Sequence, residues 1–367
     1  MIFQNTGRNQ VVYQSVWGEK EFPKVKIEPN AEKKTTSYRF TGDPEKACEI
    51  IKSVYKIENE PLFDRQYKRA ISGDGDEKKK ILTLHSSSRL ALLTFYNISD
   101  ENTLVLNIHG NDVEFDYSTF EFKTPVIGYP SNMDIVLVSK DRKTALFLES
   151  KFSEYYVSAG NKSAPISVQY ATNRYSSFFY EKQWLESIGI DTDYDSDDET
   201  RKKFVLSMKD GKINYLDGFK QMISHYISIR RRLDEPGKRI TSDQNTAENR
   251  EIADIILSVL DNPESRIYLG EIVFDKFSLP DGNTKDPDPQ KVLRDYGELY
   301  TQLAKKMNQK ITDDGLANRF VVLGEELKYS DLLKRANIEP LTADFYEVRG
   351  SRGPGSEPGQ SLPGKSG

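Results

Sequence analysis

The chain has one cysteine, Cys48, and only three histidines. A single thiol excludes an internal disulfide and a cysteine-built zinc cage, and it fits a reducing compartment. His85 and His109 have no partner at a recognisable metal-ligand spacing and read as structural. There is no G-x-S-x-G turn and no H-E-x-x-H helix, so serine-hydrolase and zinc-protease readings lack support. No apolar run reaches 18 residues, so no membrane span is expected. Met1-Ile2-Phe3-Gln4-Asn5 shows no basic stretch leading into an apolar one, so no secretory leader is expected. These absences predict a soluble, cytoplasmic chain with no membrane partner.

A basic excess is also missing. Fifty-two Lys and Arg stand against 57 Asp and Glu, for a net charge of −5. That argues against a passive nucleic-acid coat protein, which is normally basic. It leaves a metal-dependent nuclease untouched, because such an enzyme carries an acidic site and needs only a local basic surface. What the chain does have is aromatic bulk, 18 Phe and 20 Tyr among 367 residues, with 37% apolar residues in all. That is enough for a substantial core.

Along the chain, Thr36–Phe40 suggests a strand. Thr41-Gly42-Asp43-Pro44 then predicts a helix start, with Asp43 as cap, Pro44 first, and a body from Glu45 to Tyr55. Ser72–Lys80 reads as a charged loop. The serines after His85 open a helix that continues through Arg89–Tyr96, apolar nearly all round and so buried. From Leu104 the apolar period falls to two, predicting strands at Thr103–Ile108, Thr119–Val126, Met133–Val138 and Ala145–Phe152. Tyr156–Tyr180 has no clear period, and the six acids of Asp191–Thr200 read as a solvated loop. Leu216–Leu233 carries an apolar stripe at helical spacing, Phe219, Met222, Ile223, Tyr226 and Ile227. Strands at Arg266–Phe274 and Arg319–Leu323 flank a helix at about Pro289–Met307. The expected organisation is an N-terminal extension over 1–80, a main domain over 81–348 and a disordered Gly/Pro/Ser tail over 349–367. Within that tail, Gly359-x4-Gly364-Lys365-Ser366 matches the phosphate-loop pattern, but no strand precedes it and no helix follows, so it is rejected.

The segment that carries chemistry is Ser131-Asn132-Met133-Asp134-Ile135-Val136-Leu137-Val138, a polar turn, and Ala145-Leu146-Phe147-Leu148-Glu149-Ser150-Lys151-Phe152. Two apolar runs about a polar turn predict a β-hairpin. With Asp141-Arg142 as the turn, Asp134 falls opposite Glu149, and Lys151 emerges on the face of Glu149. Two facing carboxylates repel, and more so as water is excluded. A hard divalent cation relieves that conflict and suits oxygen ligands. Such a cation could hold a scissile phosphate and acidify a water, with Lys151 orienting that water or stabilising the transition state. The bare E-x-K string is weak, since it recurs at Glu32/Lys34, Glu77/Lys79, Glu121/Lys123 and Glu326/Lys328. Only Glu149/Lys151 follows, through a short turn, a strand that begins with an acid. The pattern alone is equally compatible with an edge hairpin whose polar face is solvated.

This hairpin resembles the PD-(D/E)xK, or restriction-endonuclease-like, nuclease superfamily. Further stretches are similar to a bacterial branch of it: His85-Ser86-Ser87-Ser88-Arg89-Leu90-Ala91-Leu92-Leu93 and Gly218-Phe219-Lys220-Gln221-Met222-Ile223-Ser224-His225-Tyr226. The resemblance spans roughly residues 80–235. It implies an α/β fold with a mixed central sheet flanked by helices, elaborated at both ends, and a magnesium-dependent (manganese as substitute) DNA endonuclease in restriction or defence. It makes Asp134 and Glu149 metal ligands, adds the Ser150 carbonyl to them, and makes Lys151 the catalytic lysine. A homodimer would suit cutting of both strands. Met133 stands where the proline of the name would be. Residues 86–97 offer no helix-borne acid, leaving Glu60 or Asp64 as weak substitutes. Gln221 and Tyr226 are five apart where other branches space Gln and Tyr by four; Gln221 and His225 share a helix face instead, either toward the site or as an ordinary polar face. Arg230-Arg231-Arg232 reads either as compensation of a helix dipole or as phosphate contact. The alternatives are a non-catalytic DNA-binding relative that retains the fold, and a structural protein whose acidic hairpin only packs.

Overall fold

The described region begins with two two-residue strands, β1 (Glu28–Pro29) and β2 (Tyr38–Arg39), paired antiparallel. The computed structural model describes residues 28–29, 38–72, 77–83, 86–123, 132–152, 155, 164–167, 190–194, 203–208, 216–234, 236, 247–276 and 288–333. Helix α1 (Pro44–Tyr55) starts as its sequence predicts: Asp43 Oδ1 accepts from the Glu45 amide at 2.9 Å, and Pro44 fills the first turn. Helix α2 (Glu60–Ala70) is not among the expected elements, although the sequence marks its start: Asn59 Oδ1 accepts from the Leu62 amide at 3.2 Å and Pro61 lies in the first turn. Its apolar face is Phe63, Tyr67 and Ala70, at i, i+4 and i+7, with Gln66 buried beside them. A four-residue helix, α3 (Glu77–Lys80), lies within the charged stretch whose composition suggests a loop. In α4 (Ser87–Phe95) the Ser86 hydroxyl caps the Arg89 amide at 3.0 Å, and every residue from Ser88 to Phe95 is buried.

An antiparallel meander follows: β3 (Leu104–Ile108), β4 (Asn111–Lys123), β5 (Asn132–Ser139) and β6 (Thr144–Lys151). Strand β4 begins eight residues before the expected Thr119. Asp112, Glu114 and Asp116 interrupt the apolar signal there, yet the backbone pairs with β3 regardless. A separate three-stranded sheet, β7 (Ala164–Ser167), β8 (Ile190–Tyr194) and β9 (Lys203–Met208), has the order β7-β9-β8. Strand β8 includes Asp191 and Asp193, so the first part of the acidic stretch is not the expected loop. Next come α5 (Leu216–Asp234), α6 (Ala247–Asp261), which the sequence reading lacks, β10 (Arg266–Val273), α7 (Pro289–Asp313), β11 (Phe320–Val322), β12 (Leu327–Lys328) and α8 (Tyr329–Leu333).

The central sheet has seven strands in the order β11-β10-β6-β5-β4-β3, with β12 also on β10. Strand β10 runs parallel to β6 on one edge, and to β11 and then β12 on the other. The sheet is thus mixed, an antiparallel meander joined through helices to parallel strands, and the chain is of mixed α/β class. Strands β5, β6 and β10 are buried on both faces, which is why they read as near-continuous apolar runs. Alternation along β6 separates the layers: Ser150 reaches α4 and α8, while Glu149 and Lys151 reach α5 on the other face. Among the described residues no helix is long and apolar enough to cross a membrane. The tail 349–367 and its phosphate-loop look-alike lie outside the described residues, as do His85 and most of Tyr156–Tyr180.

Candidate functional site

The β5–β6 hairpin has the register its sequence predicts, by a different turn. Ile135 pairs with Leu148, Val136 with Phe147, Leu137 with Leu146 and Val138 with Ala145. The connection is the four residues 140–143, not a two-residue turn. Arg142 takes a left-handed φ of 58°, and Asp141 Oδ1 accepts from the Ser139 hydroxyl at 2.6 Å and the Lys143 amide at 2.9 Å. Asp141-Arg142 is the centre of either turn, so the register is the same. The ladder stops at Ile135–Leu148, just where Asp134 and Glu149 would pair. There the Ser150 amide donates to Asp134 Oδ2 at 2.8 Å instead of to backbone. The two strands separate at the acids. By strand alternation the Ser150 carbonyl faces the same side as its amide, toward Asp134.

Glu149 and Lys151 are buried, 1% and 3% exposed. Lys151 Nζ lies 2.6 Å from Glu149 Oε1 and 2.5 Å from Gln221 Oε1. His225 Nε2 lies 2.6 Å from Glu149 Oε2. Gln221 and His225, one helical turn apart on α5, therefore face the hairpin. Their shared face follows from the i, i+4 spacing, and its direction from Phe219, Met222, Ile223 and Tyr226, which are buried and fix the rotation of α5.

The two acids are tuned in opposite directions. Burial alone would raise Glu149, but the Lys151 ammonium and the hydrogen bond from His225 outweigh it and hold its carboxyl down at about 2. Asp134 is partly exposed, yet desolvation and the nearby Glu149 charge push it well above the ordinary carboxylate range, against Lys151 and the Ser150 amide. A metal-free site therefore keeps Glu149 charged and disfavours charge on Asp134, as two close carboxylates without a shared cation must.

One residue that sequence reasoning misses joins this face. Glu271 on β10 is in register with Glu149, and Val273 with Lys151. Glu271 is fully buried, accepts a hydrogen bond from the Tyr296 hydroxyl of α7 through Oε2, and has no partner on Oε1. Burial raises its carboxyl to about 8, with Lys151 and Tyr296 opposing. The signal is present in the sequence: an acid inside Ile267–Phe274, an otherwise apolar strand, is as anomalous as Asp134 in its own.

Other candidates lie elsewhere. Cys48, Glu49 and Asp64 bring ligand atoms within 4.8 Å of one another, close enough to hold a metal ion. The Lys52 ammonium already sits there, 2.8 Å from Glu49, 3.1 Å from Glu60 and 3.1 Å from Asp64. The cation of that cluster is a lysine. Glu60 and Asp64 are thereby committed to Lys52 and do not supply a third acid to the hairpin. Arg230 pairs with Asp234 and Asp314, and Arg232, buried, makes two 2.5 Å bonds to Asp261. Both serve to hold α5 against α6 and the end of α7. His109 is exposed at the β3–β4 turn with its ring 6.0 Å from that of Tyr268, away from the acids. Comparison of the chain with protein families, with curated proteins and with solved structures finds no match in any of the three.

Proposed function

We propose that the chain is a magnesium-dependent nuclease of restriction-endonuclease-like fold that hydrolyses phosphodiester bonds in DNA. The observation that carries this reading is the meeting of Asp134, Glu149 and Lys151 on the splayed end of one hairpin, with Gln221 and His225 closing around them. The donor set fits a hard cation. Asp134 and Glu149 are oxygen ligands held close enough that the Glu149 charge raises the Asp134 carboxyl. Each carboxylate oxygen has a second lone pair beyond the hydrogen bond it already accepts.

Asp134 and Glu149, with the Ser150 carbonyl beside them, would hold Mg2+ or Mn2+. Bound there, the ion would supply Lewis-acid charge to a phosphate oxygen and acidity to a water. The protein side chains do the rest. His225 holds the second oxygen of Glu149 and fixes the plane of that carboxylate. Gln221 and Glu149 together hold the Lys151 ammonium beside the acids, where it would stabilise negative charge building on a phosphate and position the attacking water. The α4 and α8 layer anchors Ser150 from behind, so the Ser150 amide can hold Asp134.

Both Glu149 oxygens are already engaged by Lys151 and His225. That internal pairing favours, as second reading, a DNA-binding relative that keeps the hairpin and does not cut. One experiment separates the two: supercoiled plasmid and a long linear duplex incubated with the protein, with and without magnesium, beside Glu149→Ala. Magnesium-dependent nicking by the wild type, absent from Glu149→Ala, is the expected result. Retardation of duplex without metal and without cleavage supports the second reading and removes the first.

A further inference from the structure

The register places a row of acids across four adjacent strands. Glu149 pairs with Glu271. On the far edge of β10, Ile272 pairs with Leu327 and Val273 with Lys328, so Glu326, just ahead of β12, stands level with Glu271. Asp134 stands level with Glu149 on β5. The row is Asp134, Glu149, Glu271, Glu326, with β6, β10 and β12 at the usual strand spacing of about 4.8 Å, Glu326 one residue ahead of β12, and β5 splayed from β6 at Asp134. Carboxylates repel at that distance, so each gap needs a positive charge or a proton. The Lys151 ammonium serves the gap between Glu149 and Glu271, bonded to the first and lowering the carboxyl of the second. Among the described residues, no such group serves the gap between Glu271 and Glu326. Lys328 is exposed and acts on Glu326 only electrostatically, with no ion pair between them.

Three oxygens in that gap lack hydrogen-bond partners among the described residues. Glu271 Oε1 belongs to a fully buried side chain, and Glu326 Oε1 is likewise out of water's reach. Tyr300, fully buried on α7, turns its hydroxyl toward the Glu271 backbone without meeting hydrogen-bond geometry, and both carboxylates act on it electrostatically. Helix α7 leaves room for this. Its Gly297 would, with a Cβ, come within 3.1 Å of Glu326 Oε1 and 3.2 Å of Oε2. Tyr296 beside it donates to the other oxygen of Glu271 and fixes its rotamer. Buried carboxylate oxygens left unpaired are costly, and a set made only of oxygens matches a hard divalent cation.

We propose that Glu271 and Glu326, under Tyr296 and Tyr300 of α7, form a second divalent-cation site, separate from the hairpin site and lying between β10 and β12. It would take an ion of the Mg2+, Mn2+ or Ca2+ class, entering past the partly exposed Glu326. It joins the β12 edge to α7 and stands whether or not the hairpin cuts DNA.

The test uses the full chain with terbium(III) and manganese(II) as probes. Tyr296 and Tyr300 would sensitise terbium emission on tyrosine excitation, and calorimetric titration with manganese counts sites. Asp134→Ala should keep the tyrosine-sensitised signal and one manganese equivalent. Glu326→Gln, at a partly exposed position that tolerates the change, should weaken the terbium signal's apparent affinity by at least about tenfold. Gly297→Ala, which crowds Glu326, should weaken it as well without removing a ligand. Unchanged terbium affinity and manganese stoichiometry in Glu326→Gln would overturn the proposal. So would a metal-free Glu326→Gln chain that melts higher than wild type while no cation shifts either, because a shared proton would then fill the gap. Loss of cleavage in Asp134→Ala with this site intact bears on the hairpin alone.

Discussion

Glu149 has both oxygens bonded inside the protein, one to Lys151 and one to His225. Removing one partner of a buried pair strands a charge, which typically costs ~3–5 kcal/mol. Lys151→Ala is therefore expected to lose stability on that order in chelating buffer, measured by urea unfolding, and to regain more from added magnesium than the wild type does. An unchanged midpoint in chelator would show that Lys151 is not the counter-charge. The two glutamates of this face should respond oppositely to pH. Glu149 is held at about 2 against an ordinary 4.5, so its contribution is present above 4.5 and is lost as pH falls toward 2. Glu271 is raised from 4.5 to about 8, so the folded chain keeps a proton that the unfolded chain has released in between, and its contribution declines as pH rises through that window. Unfolding in chelator from about pH 5 to about pH 8 should show that decline, to which the raised Asp134 also contributes, and Glu271→Gln should make it shallower. A wild-type profile that rises across the window, or a variant that keeps the slope, contradicts the assignment.

Strand β10 is the element on which the arrangement turns. It touches β6 along its whole length on one side and two short strands on the other, which requires close packing. A Cβ on Gly270 would lie 2.7 Å from Leu323 Cδ1 and 3.4 Å from Leu148 Cδ2. Gly270→Ala should cost ~1–3 kcal/mol of stability through overpacking, read from thermal or urea unfolding. A neutral result would mean that Leu323 repacks freely. The elements themselves are unevenly legible in the sequence. Helix α1 announces itself by Asp43-Pro44, and α5 by a five-residue apolar stripe. Helix α2 has a start signal in Asn59 and Pro61 but a stripe of only Phe63, Tyr67 and Ala70, and β4 has two acids, Asp112 and Glu114, where it meets β3. Local composition reports burial, and α2 is positioned by β4 and α4, distant in the chain, whereas β4 is held by pairing with its chain neighbours β3 and β5 despite its acids.

Across the molecule, the tip of β6 is gripped from two layers. Glu149 and Lys151 are held by α5, while Ser150 Oγ lies 2.7 Å from Tyr329 Oη of α8 and 3.2 Å from the Ser87 carbonyl of α4. The Ser150 amide in turn holds Asp134. Loosening the back layer should therefore reach the proposed site. Tyr329→Phe is expected to cost ~0.5–1.5 kcal/mol and to slow magnesium-dependent cleavage, with Glu149 and Lys151 untouched. A lower melting temperature with full cleavage would show that the two layers act independently.

The hairpin register, the helix face shared by Gln221 and His225, and the buried character of α4 are all present in the linear order of residues. Each depends on neighbours within a few positions, where the periods of two and 3.6 apply. Which acids meet is decided elsewhere. Glu271 lies 122 positions beyond Glu149 and Glu326 another 55 along, and only the parallel register of β6, β10 and β12 makes them neighbours. Pairing between distant strands is set by packing of the whole core, and no local pattern encodes it.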